Sequence, residues 1–292
     1  MDDPEPSRNI SGGDSGGGEP AAFASGEATT RAEAVVDRLG DIYWRKAYGG
    51  RDAFECLVRT VLSQNTSDKA SQPAYDALID RYGPSGADGE GPGGADGTGA
   101  AGRSDGEDGD LAESLAAADQ GRLAETISSA GLYNQKSARL IALAELVCEE
   151  YGGAAGFDEF VTTGDPDEVR AALLAMNGVG PKTADCVLLF SGGRDGVFPV
   201  DTHVHRIARR LGIAPADADH ETVREHLERA VPDETCGFGH TAMIQFGRDT
   251  CTARKPACLD DPDACPLADL CDQVGVDPLA GDVVDPSETV GD

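Results

Sequence analysis

The stretch "DPDEVRAALLAMNGVGPKTADCVLLF" (165–190) constrains the fold more than any other part of this chain. Asp165 is placed as a helix N-cap, and Pro166 suits the first helical position. Val169, Leu173 and Met176 recur on one helical face. "NGVG" then breaks the helix, and "PKTADCVLLF" starts another, again with proline in its first turn. The result is an αα-hairpin with a four-residue turn. Gly178 and Gly180 carry no side chain and can take positive φ. Their amides can therefore approach an anion at the positive end of a helix, and DNA phosphate is the natural ligand. Glycines serve an ordinary hairpin turn equally well, so the hairpin by itself leaves both readings open.

The same helical period runs through the rest of the chain. "TTRAEAVVDRLGDIY" opens on threonine caps and aligns Val35, Leu39 and Ile42. "DAFECLVRTVLS" starts at an Asp52 cap and buries Phe54, Leu57, Val58, Val61 and Leu62. No segment alternates at period two for long enough to build a sheet, so the class is all-α. Two tracts break the pattern. Residues 1–28 are rich in Gly, Ser, Pro and acid, and residues 84–109 form a low-complexity acidic insert. Neither has the apolar surface to offset ordering entropy. Residues 276–292 read as a further acidic tail.

Asp and Glu total 53 against 24 Lys plus Arg, a formal net charge of −29. Amphipathic helices confine the disordered-acidic reading to the tails and insert. The rest suits a salt-adapted, haloarchaeon-like organism, in which a carboxylate surface stays hydrated and self-repulsion is screened over only ~3 Å at 1 M salt. No run approaches the ~20 apolar residues that span a bilayer, and the N-terminus lacks a signal peptide, so a soluble cytoplasmic monomer without membrane contact is expected.

Of eight cysteines, four crowd into "CTARKPACLDDPDACPLADLC". Cys251, Cys258, Cys265 and Cys271 are spaced C-x6-C-x6-C-x5-C. Four thiolates so close in a cytoplasmic chain indicate a metal or cluster site before disulfides. His203 and His205, two apart on a helix, do not share a face and are not read as a zinc pair.

"NGVGPKTAD", followed by "FPVDTHVHRIARRLG", closely resembles the helix-hairpin-helix of the base-excision DNA glycosylases. With "LSQNTSD" (62–68) and "GLYNQKS" (131–137), the resemblance is to the endonuclease III family and covers about residues 30–272 apart from the insert. It implies two helical domains. One is a six-helix barrel with the helix-hairpin-helix, 49–195. The other, 29–48 plus 196–275, carries a C-terminal 4Fe–4S cluster on the four cysteines, with zinc as the alternative. The family spacing is C-x6-C-x2-C-x5-C, so "LDDPDA" is expected to bulge outward. Lys182 then supplies the amine that forms a Schiff base, and Asp201, also a good N-cap, supports the chemistry. A lysine amine attacks only when neutral, and a helix N-terminus with partial burial disfavours the ammonium.

By the same resemblance, Leu132 is the wedge, Gln64 or Asn65 fills the void left by a flipped base, and Arg254 and Lys255 touch the DNA backbone. The expected partner is double-stranded DNA with a damaged base or abasic site. The expected activity is a bifunctional glycosylase and abasic-site lyase acting on oxidised pyrimidines. The alternatives are a mismatch-specific monofunctional glycosylase, or a non-catalytic hairpin module that needs neither Lys182 nor Asp201. The scarce cations Arg206, Arg209, Arg210 and Arg248 are further expected near the DNA.

Overall fold

The computed structural model describes residues 8–9, 27–44, 51–66, 68–84 and 110–290. The acidic insert therefore lies outside the described residues apart from Pro84, as does the N-terminal tract apart from residues 8–9, 27 and 28. The described chain is almost entirely helical. The helices are α1 (Arg31–Gly40), α2 (Ala53–Ser63), α3 (Asp68–Tyr82), α4 (Leu111–Ala116), α5 (Gln120–Thr126) and α6 (Tyr133–Tyr151). They continue with α7 (Ala154–Thr163), α8 (Pro166–Ala175), α9 (Pro181–Phe190), α10 (Thr202–Arg210), α11 (His220–Ala230) and α12 (Asp233–Asp249). Short 3₁₀ turns punctuate the remainder. Two-residue strands pair as β1 (Arg8–Asn9) with β2 (Tyr43–Trp44) and as β3 (Val276–Asp277) with β4 (Asp282–Val283).

Much of the acid count has a structural use. Asp52, Asp110, Asp119, Asp165, Asp201 and Asp219 each accept backbone N–H groups at the start of a helix. Each such cap satisfies donors that a helix leaves unpaired, worth about 1 kcal/mol. Thr30 caps α1, while Glu33 reaches back to the backbone N–H of Thr29 at 2.7 Å.

Two compact units form. One runs from Gly50 to Thr183 and the other combines Met1–Gly49 with Ala184–Asp292. The boundary between these units lies inside α9. The core of the 50–183 unit includes Phe54, Leu57, Val61, Leu78, Leu115 and Phe157, all fully buried. The core of the other unit gathers Val35, Leu39, Phe198, Ile207, Met243 and Phe246, with Cys251, Cys265 and Cys271 packed at its edge.

One expectation is corrected here. The acidic C-terminal segment is not a loose tail. Val284 N donates to Gly275 O at 2.9 Å, Pro286 is buried, and Asp285 takes a bidentate pair from Arg209 at 2.9 and 3.1 Å. A buried guanidinium needs a counter-charge, and Asp285 provides it.

Candidate functional site

In the 50–183 unit the hairpin turn follows α8. Gly178 takes φ +84°, a conformation that L side chains rarely adopt. A Cβ there would also come within 2.1 Å of Arg139 Nε, so glycine is required twice over. Gly180 departs from expectation. Its φ is not positive, and a Cβ built on it meets nothing within 4 Å. That side of the turn is open. Lys182 follows in the first turn of α9, half-buried.

Two further turns of this unit hold residues in the left-handed region. Asn65 has φ 52° and is exposed, whereas the adjacent Gln64 is half-buried. Gln64 Nε2 donates to Gly178 O and Thr183 Oγ1, each at 3.2 Å, and its Oε1 accepts from Arg139 Nη1 at 2.8 Å. Gln64 therefore braces the hairpin, and Asn65 is the member of the pair that faces outward. Leu132 has φ 48° and is 52% exposed, with Tyr133 beside it at 42%. A bulky apolar residue in that conformation, directed to solvent, is not core packing; such strain is usually kept at functional sites. Beneath both turns lies Lys136, which the sequence reading passed over. Its signal was rarity: it is one of five lysines in the chain, within the quoted "GLYNQK".

In the other unit Asp201 caps α10. Its Oδ1 accepts from His203 N at 2.8 Å and Val204 N at 2.9 Å. Oδ2 accepts from none of the described residues. His203 Nδ1 lies 3.3 Å from Arg206 Nη2, and burial is the main cause that pushes its pKa down. His205 stacks on His220 with centroids 3.9 Å apart and bonds Ala218 O through Nε2. The two histidines thus have separate surroundings.

The expected cations near DNA need correction. Arg209 and Arg210 are buried. Arg209 serves Asp285 and Ala216 O, while Arg210 donates to Thr252 O and Ala253 O, both at 2.7 Å. Arg206 donates to Cys251 O at 2.9 Å and Gly247 O at 3.3 Å. Arg206 and Arg210 are thus occupied in shaping the C-terminal loop, and Arg209 in holding the segment that follows it. Arg254 and Lys255 are exposed on that loop, Lys255 in a surface pair with Asp260 at 3.5 Å. Such a pair is worth only ~0–1 kcal/mol and is readily exchanged.

Cys251, Cys258, Cys265 and Cys271 all line one cavity, with Arg210, Phe246, Pro256 and Val276 among its other walls. It encloses about 370 Å³ of empty space, its mouth included. The extension between the second and third cysteines folds as a 3₁₀ turn, Pro262–Ala264, capped by Asp261, with residues 260–263 exposed. It bulges away, and all four cysteines still line the cavity. Burial is the main cause that raises the thiols of Cys258 and Cys265, and that of Cys271 to about 11. Gathering four thiolates there requires a positively charged group among them. Arg210 Nη1 lies 3.5 Å from Cys251 Sγ, and Gln273 N donates to Cys271 Sγ at 3.3 Å. Soft donors, an apolar wall and N–H groups aimed at sulfur suit an iron–sulfur cluster.

Comparison with known proteins supplies independent findings. Residues 58–233 match the HhH-GPD superfamily of base excision DNA repair proteins. Residues 251–271, from the first cysteine of the cluster to the last, match the iron–sulfur binding domain of endonuclease III. The endonuclease III of Thermotoga maritima is 30% identical over 207 residues, covering 71% of this chain and 78% of the relative. Among solved structures, a trapped endonuclease III–DNA covalent intermediate is 27% identical with a TM-score of 0.57, covering 77% of this chain and 86% of that one. A thermostable thymine-DNA glycosylase shares the fold at 20% identity and a TM-score of 0.60, covering 83% and 96%.

Proposed function

Since the chain belongs to the endonuclease III family, within the HhH-GPD superfamily of base excision DNA repair proteins, we propose that its glycosylase and lyase reaction runs through Lys182 and Asp201. The chain is a base-excision DNA glycosylase and abasic-site lyase, and its C-terminal region holds an iron–sulfur cluster. The observation that carries the lysine mechanism is the placement of Lys182: half-buried, in the first turn of α9, directly after the open Gly178–Gly180 turn. An amine there meets the positive end of a helix, which favours its neutral, nucleophilic form.

In this reading the hairpin amides hold a phosphate and Lys182 Nζ attacks C1′ of the damaged nucleotide. The C1′–N bond breaks and the base leaves with its electron pair; the amine nitrogen then gives up one proton, O4′ takes one up, and the C1′–O4′ bond opens to leave a C1′=N iminium. That cation acidifies the 2′ proton. Its removal forms the 2′–3′ double bond and expels the 3′ phosphate. Asp201 assists by stabilising the cationic sugar, or by taking a proton, through the oxygen that the cap leaves unused. A monofunctional relative that activates water needs no amine at this position, so Lys182 favours the bifunctional reading over a mismatch-specific one. The relative trapped covalently on DNA points the same way.

Asn65, exposed in its turn, is the side chain proposed to fill the void, with Leu132 as the wedge. Gln64 holds the hairpin to their turn from inside. Oxidised pyrimidines are the proposed lesions. Cys251, Cys258, Cys265 and Cys271 would hold a 4Fe–4S cluster, whose part is to fix the loop that presents Arg254 and Lys255 to the DNA backbone. The protein is proposed to act as a monomer, in a salt-accumulating cell.

Borohydride treatment of the protein with a duplex containing thymine glycol tests the reading. A covalent protein–DNA adduct is expected. Base release without an adduct would move the assignment to a water-activating glycosylase.

A further inference from the structure

The turns that carry Asn65 and Leu132 share one buried cation. Lys136, on the first turn of α6, is 3% exposed. Its Nζ donates to Leu62 O at 2.7 Å, Thr66 Oγ1 at 2.7 Å and Ala130 O at 2.9 Å. Three ammonium donors thus meet three acceptors. Leu62 and Thr66 bracket Asn65, and Ala130 immediately precedes the Gly131–Leu132 step. Thr66 closes the ring by donating its own hydroxyl to Ala130 O. One helical turn further along α6, Arg139 holds Gln64, which itself bonds the hairpin at Gly178 O. A single face of α6 therefore holds every turn proposed to probe DNA in this unit.

Stability alone does not call for a lysine here. All three acceptors are uncharged, and the ammonium has given up water for them. Burial, followed by the Arg139 charge, pushes its pKa below the ordinary lysine value. A buried cation with no carboxylate partner among the described residues is a costly way to fill space that an apolar side chain can fill. What the ammonium supplies is geometry. It fixes the separation of two turns whose exposed residues, Asn65 and Leu132, both sit in the left-handed region.

We infer that Lys136 is a positioning residue for base extrusion, holding the Asn65 and Leu132 turns in register so that both side chains enter the duplex together. This rests on the glycosylase reading above. Its bonds are buried and charge-assisted, so they keep their strength in concentrated salt.

The test separates opening the duplex from the chemistry that follows. Lys136→Met removes the charge at similar length, and each variant is assayed below its own unfolding midpoint. Single-turnover removal of thymine glycol from a paired duplex should fall by about tenfold or more, while cleavage of a preformed abasic site in single-stranded DNA stays within about twofold. A 2-aminopurine beside the lesion should brighten less on binding, because less of the duplex is opened. Lys136→Arg, which keeps charged donors, should restore part of the duplex rate.

If Lys136→Met does not fold, Thr66→Val carries the test, since it removes one acceptor and the bridge to Ala130; the same split between substrates is expected. An equal loss on both substrates, or a duplex rate matching the unaltered chain, would overturn the inference. The unaltered chain in the same assays tests the glycosylase reading separately, because its failure on both substrates would remove the premise before any variant is compared.

Discussion

Asp201 has two employments that substitution can separate. As an N-cap it accepts two backbone N–H groups through Oδ1, a role an asparagine oxygen can fill. As a carboxylate it places a negative charge at the start of α10, which the amide cannot do. Asp201→Asn should therefore fold with a midpoint close to that of the original and turn over slowly, by about 100-fold in single-turnover base release. Near-normal turnover would reduce Asp201 to a cap. For Lys182 the expectation is sharper, because a nucleophile has no partial substitute. Lys182→Gln should eliminate borohydride trapping and leave affinity for abasic duplex within about threefold, since the hairpin amides remain. Continued cross-linking would identify another amine, and the buried, triply bonded Lys136 would be a poor candidate for it.

At the scale of elements, the C-terminal loop and the segment after it act together. Residues 251–271 wrap a cavity lined by four cysteines, and Arg206 and Arg210 hold the loop through its carbonyls. Protein purified without oxygen should be brown and carry about four irons per chain, as a four-cysteine cubane requires. Zinc without iron in elemental analysis would replace the cluster with a structural ion. Loss of the iron should free the 251–271 loop and weaken DNA binding, read together as faster proteolysis there and lower affinity.

The segment from 276 to 290 depends on Asp285. Its pairing with the Arg209 guanidinium holds the carboxyl well below the usual carboxylate range. A folded pKa below the unfolded one, ~3.9 for aspartate, gives stability that is fully present above that value. The contribution then fades as pH falls through the folded value. Asp285 is about half exposed, so screening keeps it modest, roughly 1 kcal/mol. Asp285→Asn should lower the unfolding midpoint by about 2–4 °C at neutral pH, with the difference shrinking in strong acid. A difference that persists unchanged in acid would show that packing, not charge, holds the segment.

For the molecule as a whole, the question is how a chain of net charge −29 binds a polyanion. Proteins that make about 6–10 phosphate contacts lose ~10³–10⁵ in affinity between about 50 and 200 mM salt. Here Arg206, Arg209 and Arg210 are spent internally, so fewer cations remain to release counterions. The proposed contacts, hairpin amides on phosphate, the Leu132 wedge and stacking of an extruded base, are short-range and would survive salt. Screening also removes the repulsion between acidic surface and DNA. Lyase rate should accordingly rise from low salt toward molar KCl, measured with the folded fraction at each point. A rate falling steadily while the protein stays folded would restore ordinary electrostatic binding and remove the salt-adapted reading.

By itself the sequence determined what depends on near neighbours along the chain. Helical period placed Phe54, Leu57, Val58, Val61 and Leu62 in a core where each is fully buried. Asp52, Asp165 and Asp201 were legible as caps because a cap acts on amides two or three residues away. The cysteine spacing marked a shared site for the same reason of proximity. The tertiary structure decided what depends on where distant segments cross. It turned Asn65 outward and Gln64 inward, because the hairpin carbonyl at Gly178 lies against this turn. It drew Arg209 and Arg210 inside, because carbonyls and a carboxylate more than 40 residues downstream are there to receive them. It set Lys136 under two turns that the sequence shows only as separate strings. A buried charge goes where its partners converge, and backbone carbonyls, being common to every residue, leave no mark in a sequence to say where that will be.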